Sequence, residues 1–380
     1  RTQSRTQTPP ECVAPVGPLP PGPSAPASGS KSRRTANIVA MGFKEAKSIK
    51  MESPDMSFKK IMITSMLVAA SSAVQAGGHG KCGEVSVGAM GWASGETFAA
   101  IMEFVLEQGY GCDVKVVPTD TVPAVTSLAE NGQPDIVPEV WVNSAPAYPG
   151  LVDKGAVITA SDIFADGGEE GWWIPNYLAE KHPELKTLDG ILANPELVGG
   201  RFHNCPVGWG CRNVNDNLKV VHGLEAKGIE VFDHGSGANL AASIASAYED
   251  KAPWFGYYWG PTAVLGNYPM TKVNIGDINP AQHAINQVEG QDPSKIGVSG
   301  FPAAPVVNAM TAEFAERAPD AAEFVKNFSI PNDVISSFLA WKESNNASAD
   351  EAAAYVLTTY TDLMMGMVND EARAKLKALL

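Results

Sequence analysis

Tryptophan is the residue type whose number and placement could do chemistry here. The 380-residue chain holds eight, and seven fall where loops or strand ends are expected. Trp92 follows a first apolar strand and precedes a helix; Trp141 follows the strand Asp135-Ile136-Val137. Trp172 and Trp173 sit in a Gly-rich turn before Pro175, and Trp209 lies inside Cys205-Pro-Val-Gly-Trp-Gly-Cys211. Trp254 and Trp259 bracket Phe255-Gly256-Tyr257-Tyr258, while Trp341 sits on a late helix and reads as core. Large rings usually go to the interior, so one or two of the seven belong there. Indoles gathered at loops suit a cation with no N–H to donate. A quaternary ammonium is held by ring faces, each worth about 0.5–2 kcal/mol. Donors for an anionic end of such a ligand are available at Ser236, which opens a helix, at Ser94, and at His203 and Asn204; plain helix capping explains the two serines equally well. Glu139 reads either as a carboxylate facing the cation or as one on a solvated rim, the rim being preferred.

Other chemistry is poorly represented. The chain has no GxSxG elbow, no phosphate-cradling GxxxxGK[ST] and no GxGxxG after its first strand. Its six histidines form no HExxH cluster, so neither a catalytic set nor a metal or cofactor site is expected. Cys12 aside, four cysteines remain. Cys205 and Cys211 bracket a short loop and are expected to pair, which leaves Cys82 with Cys112.

The elements that must carry these residues alternate. Glu84–Gly88 reads as a strand, Gly95–Gln108 as a helix entered through a Ser94 cap, and Val114–Val117 as the next strand. Pro123–Glu130 is a helix, followed by a strand leading to Trp141. The pattern resumes with helices at Val214–Leu224 and Ala238–Asp250 and strands at 228–232, 254–259 and 270–275. From Pro302 the chain turns helical, and Ser348 with Glu351 has capping-box spacing. Such βαβα order predicts an α/β fold of mainly parallel sheets flanked by helices. Two α/β lobes without a catalytic signature suggest a clamshell that closes over a ligand. A sugar receptor or a secreted hydrolase would be the rivals. The first needs more Asp, Asn and Arg beside the rings, the second a nucleophile and its base.

Charge divides the chain. Residues 1–76 hold 10 Lys and Arg against 4 Asp and Glu, a net +6; the remainder holds 18 against 38, a net −20. The acid excess argues against nucleic acid as a partner. Residues 1–55, rich in Pro, Ser and basic side chains, show no apolar period and read as a disordered or over-extended leader. Met56–Ala76, with Lys59-Lys60, the apolar run Ile61–Ala70 and Val74-Gln75-Ala76, reads as a cleaved signal peptide. Gly77 rather than Cys follows the expected cut, so no lipid anchor is expected, and the exported chain would be periplasmic.

The ordered set Gly91-Trp92-Ala93-Ser94, Asp135–Trp141, Gly171–Tyr177, Ser236–Asn239, Tyr257–Pro261, Phe301-Pro302 and Val334–Trp341 resembles a family. It is similar to the periplasmic glycine betaine/proline betaine/choline-type binding proteins of ABC importers. The resemblance implies two lobes joined by two crossovers, with 77–174 and 274–380 in lobe one and 175–273 in lobe two. It implies a monomer that binds a methylated ammonium and delivers it to a permease and its ATPase. Trp92 and Trp141 would then face Trp209 and either Trp254 or Trp259. The disulfide-bracketed Trp209 departs from the family pattern, and a cage richer in indole suits trimethylamine N-oxide or choline as well as betaine.

Overall fold

Ten strands sort into two sheets of five, and the sorting decides which tryptophans can meet. The computed structural model describes residues 82–380; the expected leader and signal peptide lie outside the described residues. In chain order the strands are β1 (Glu84–Met90), β2 (Asp113–Thr119), β3 (Ile136–Trp141), β4 (Val157–Asp162) and β5 (Glu169–Pro175). They continue with β6 (Arg201–Asn204), β7 (Glu230–Asp233), β8 (Gly256–Gly260), β9 (Met270–Lys272) and β10 (Val306–Thr311). Lobe one has the order β2-β1-β3-β10-β4, and lobe two β7-β6-β8-β5-β9. Both sheets are mixed. β1 runs parallel to β2 and β3, whereas β10 is antiparallel to β3 and β4. In lobe two, β6 is parallel to β7 and β8, and β5 is antiparallel to β8 and β9.

The helices that position the site are α1 (Ala93–Val105), α2 (Thr121–Asn131), α3 (Gly210–His222) and α4 (Gly237–Asp250). Three more are α5 (Pro280–Asn286), α6 (Asn332–Ser344) and α7 (Ala349–Thr359). β3 and β10 are buried along their whole length, as central strands covered on both faces must be. Behind them Phe98 of α1 meets Phe164, Phe328 and Phe338 edge-on, at 6.2, 5.9 and 5.8 Å between ring centres. α7 packs on α1 and opens with the Ser348–Glu351 capping box. It ends at Thr359, and a separate short helix follows at Thr361–Gly366.

Two readings of local structure change. Trp92, not Ser94, is the N-cap of α1, and Ser94 is buried inside the first turn. Trp172 and Trp173 lie in β5 rather than in a turn, because Gly171 to Pro175 pairs with β8 on one side and β9 on the other. The boundary expected between residues 174 and 175 therefore falls inside β5. The chain has already left the first sheet after Asp162. On the return, α5 packs against α3, where Asn217 Nδ2 donates to the carbonyls of Asn286 and Val288 at 2.9 and 2.8 Å. The first sheet is regained only at Val306.

Phe98 is fully buried, and its truncation would leave a hole that three facing rings cannot close. Phe98→Ala should lower unfolding free energy by about 3–5 kcal/mol, read as a shifted urea midpoint. A loss under 1 kcal/mol would show that lobe one does not depend on this cluster.

Candidate functional site

The site begins with a bulge. Val140 of β3 pairs with Val307 and Val137 with Ala309, so Pro138 and Glu139 together face the single residue Asn308. Glu139 takes the left-handed conformation this demands, with φ 63°. A positive φ in a non-glycine residue is costly and persists where the surroundings require it. Here the bulge turns Glu139 into the end of lobe one, fully buried. Its Oε1 accepts hydrogen bonds from Trp92 Nε1 at 2.6 Å, Ser94 Oγ at 2.9 Å and Trp141 Nε1 at 3.2 Å. Burial pushes its pKa up to about 8, with the three donors opposing that rise. Its Oε2 is buried without a partner among the described residues. The rim expected for Glu139 is thus replaced by a dry carboxyl behind two indoles, and the helix cap expected of Ser94 is replaced by a bond to that carboxyl.

Trp92 and Trp141 line one side of a cavity. Lobe two supplies the other side with Trp209 and Trp259, and Tyr257 joins them. Trp209 touches Trp92 edge-on at 4.9 Å and Trp259 at 5.1 Å. All four indoles are nearly buried. Glycines let two of them seat. A Cβ at Gly168 would lie 2.5 Å from the Trp141 ring, and one at Gly237 would lie 2.8 Å from Trp209. The loop carrying Trp209 is closed by the Cys205–Cys211 disulfide; Cys82 is bonded to Cys112.

A second carboxyl lines the cavity itself. Glu170 of β5 is 2 % exposed. Its Oε1 accepts from Tyr257 Oη at 2.7 Å and from Ser144 Oγ at 3.2 Å. Burial raises its pKa, against which the Tyr257 and Ser144 donors and the charge of Lys272 act. Its Oε2, like that of Glu139, has no partner among the described residues. Thr121, Ser144 and the first residues of α3, Gly210 and Cys211, complete the wall. No Lys, Arg or His lines it. An electron-rich box with acidic groups at its back and edge can hold a small cation by dispersion and cation–π attraction.

The remaining expected site residues lie elsewhere. Trp172 is fully buried among Phe202 and Phe255, with its Nε1 donating to Asn215 Oδ1 at 2.8 Å. Trp173 donates to the Tyr258 carbonyl at 3.0 Å, and Lys272 Nζ lies over its ring. Trp254 stacks on His203 at 5.1 Å and donates to Ser243 Oγ. Each indole N–H is satisfied inside lobe two, so these three are core. Ser236 caps α4, its Oγ accepting from the Asn239 amide at 3.2 Å, outside the cavity. His203 pairs with His234 at 2.7 Å and is also outside the cavity wall. Trp341, read as core, is half-buried and stacked on Tyr355 at 4.3 Å. Glu170 and Ser144 escaped sequence reasoning. A carboxylate inside a stretch as apolar as Ile136–Trp141 was the available signal for Glu139.

With a folded-state pKa near 8 and an unfolded value near 4.5, the Glu139 contribution is fully present below pH 4.5. It is lost as pH rises through 8. The melting temperature of the ligand-free protein should fall between pH 5 and 9, and Glu139→Gln should flatten much of that fall. A variant with an unchanged slope would show that Glu139 is not held protonated.

Residues 83–359 match a model of the family described as the substrate binding domain of the ABC-type glycine betaine transport system, OpuAC. The fold is similar to that of an ABC-transporter choline-binding protein in complex with choline. The two align with a TM-score of 0.63 at 20% identity, over 78% of this chain and 98% of that one. A glycine betaine and L-proline ABC transporter binding protein from Borrelia burgdorferi aligns at 0.61 and 15%, over 77% and 99%. Lactococcal OpuAC, closed on glycine betaine, aligns at 0.58 and 15%, over 75% and 99%.

Proposed function

The chain belongs to the family of substrate-binding domains of ABC-type glycine betaine transport systems, and from that premise we propose that it captures a small methylated ammonium compound between its lobes. The observation that carries this reading is the cavity walled by Trp92, Trp141, Trp209 and Trp259, two indoles from each lobe. A ligand touching both pairs favours the closed arrangement by its differential contacts. Delivery to a permease and its ATPase from the periplasm, as an exported monomer, completes the proposal. The net −20 of residues 77–380 would keep such a protein soluble and suit a basic docking face. Among the described residues no helix is long and apolar enough to cross a membrane.

The carboxyls narrow the ligand. A glycine betaine carboxylate would share the cavity with Glu170 and find no cationic side chain there. Choline brings no anionic group, and trimethylamine N-oxide only its single oxygen. Choline has a hydroxyl that Glu170 Oε2 can accept from; the N-oxide oxygen can accept from a protonated Glu170. Betaine keeps one supporting feature, the amides that open α3 at Gly210 and Cys211, where a helix start favours an anion. Burial raises the Glu170 pKa, and a protonated Glu170 can donate to a betaine carboxylate as well, so titration ranks the three.

Calorimetric titration with choline, trimethylamine N-oxide, glycine betaine and a disaccharide tests the reading. At least one methylated ammonium should bind in the micromolar range or tighter, and the sugar should not bind. Binding of the sugar alone would overturn it. Trp92→Ala and Trp209→Ala should each weaken the bound amine by about three- to thirtyfold. Trp254→Phe, altered in the core, should leave affinity within about twofold.

The same titration reports on Glu139. A permanent cation in the box favours the carboxylate form, so choline at pH 7.5 should release protons. Its apparent enthalpy should then vary with the ionisation heat of the buffer. Glu139→Gln should remove the buffer dependence; if it persists in that variant, another group supplies the protons.

A further inference from the structure

Where the two lobes touch, one side chain is out of place. Asp120 is the N-cap residue of α2, yet its carboxylate caps nothing. An aspartate at that position ordinarily accepts from the second or third helical amide. Instead it turns toward the other lobe and the start of α1. A Cβ built on Gly91 would lie 2.8 Å from Asp120 Oδ1, and one built on Gly208 would lie 3.2 Å from Oδ2. The Gly91 amide and the Trp209 indole N–H face the carboxylate, and both oppose the rise in pKa that burial imposes. Oδ1 is buried and completes no full hydrogen bond among the described residues.

The surroundings are built for close approach between lobes. The Val122 amide, at the second residue of α2, donates to the Gly208 carbonyl at 3.1 Å, a backbone bond from lobe one to lobe two. Gly208 has φ 93°, which excludes a side chain there without strain. A Cβ on Gly210 would fall on the Ser144 carbonyl. The Cys205–Cys211 loop therefore enters lobe one backbone-first at Gly208 and Gly210, with Trp209 between them directed at Trp92 and Asp120.

We propose that Asp120 is an interlobe latch: its carboxylate, released from helix capping, grips the Gly91 amide of its own lobe and the Trp209 indole of the other, so that closure of the cleft and placement of the fourth cage wall are one event. The inference rests on the proposed capture of a methylated ammonium and names a positioning residue for that site. Asp120 does not line the cavity. It acts on the ligand only through Trp209. An acceptor that tightens as the lobes meet stabilises the closed state and therefore slows ligand escape more than it speeds capture.

Asp120→Ala and Asp120→Asn, with Trp173→Phe as a core control, test this. Affinity and dissociation rate are measured for whichever of choline, trimethylamine N-oxide or glycine betaine the wild type binds. Interlobe distance is measured separately, without ligand, by a pair of spin labels on the solvent faces of α2 and α3. Asp120→Ala should weaken binding about tenfold, chiefly through faster dissociation, and shift the ligand-free distances toward longer values. Because the side chain caps nothing, its melting temperature should stay within about 2 °C. Asp120→Asn, which keeps one acceptor, should recover part of the affinity. Unchanged dissociation and unchanged distances in Asp120→Ala would overturn the latch. So would an affinity loss matched by an equal loss of melting temperature in both variants. If the wild type binds none of the three amines, the ligand reading falls while the distance measurement still decides the latch.

Discussion

Keeping one carboxyl dry behind two indoles is the constraint around which lobe one is arranged. Burying Glu139 without charge compensation is expensive unless it is hydrogen-bonded or protonated; three donors meet it, and burial pushes its pKa up to about 8. The bulge at Pro138 and Glu139 brings it inward, and Ser94 serves as a donor to it instead of capping α1. Trp92 and Trp141 turn their N–H edges to Oε1, which leaves their faces for the cavity. A donor bonded to a carboxyl makes its ring richer in electron density, which is what a cation-binding face requires. The ring orientations in lobe one are thus set by a hydrogen-bond network that needs no ligand. Such preorganisation lowers the ordering cost of binding.

Lobe two reaches a similar end by other means. Its two indoles stand at the ends of β-strands or in the loops beyond them, where open α/β sheets place their ligands. Trp259 is carried on β8 and Trp209 on the disulfide-closed loop between β6 and α3. Glu170 is tied by Tyr257 on the neighbouring strand and by Ser144 from lobe one. That last bond crosses between lobes, so the second carboxyl is fully supported only when they meet. The glycines at 168, 208, 210 and 237 permit approaches that any Cβ would obstruct.

What could be read from the sequence followed from locality. Alternating strands and helices, the capping box at Ser348 and a short loop between two cysteines are local patterns, and each has its counterpart in the fold. The two-lobed α/β architecture followed from them. Which tryptophans share a cavity was less legible. Gly167, Gly168 and Gly171 suggest a turn around Trp172 and Trp173, whereas pairing with β8 and β9 overrides that local signal. Trp254 sits one residue before its neighbouring phenylalanine and two before β8. Only the stacking with His203 and the bond to Ser243 reveal it as core. The carboxyls were least legible. Charge in a sequence reads as solvent, and no period distinguishes Glu139 or Glu170 from a rim residue. A charge embedded in an apolar strand is the pattern that deserved more weight, since burial there forces a function or a penalty.

Selectivity and grip then separate in space. Lobe one holds the buried carboxyl of Glu139 and two ring faces oriented by it, so the chemistry a ligand must satisfy exists before the lobes close. Lobe two brings the remaining faces on a loop held by one disulfide and by backbone contact through glycines. Under the proposed reading a ligand would meet the ring faces of Trp92 and Trp141 first, and Glu170 with Tyr257 only once that second half arrives.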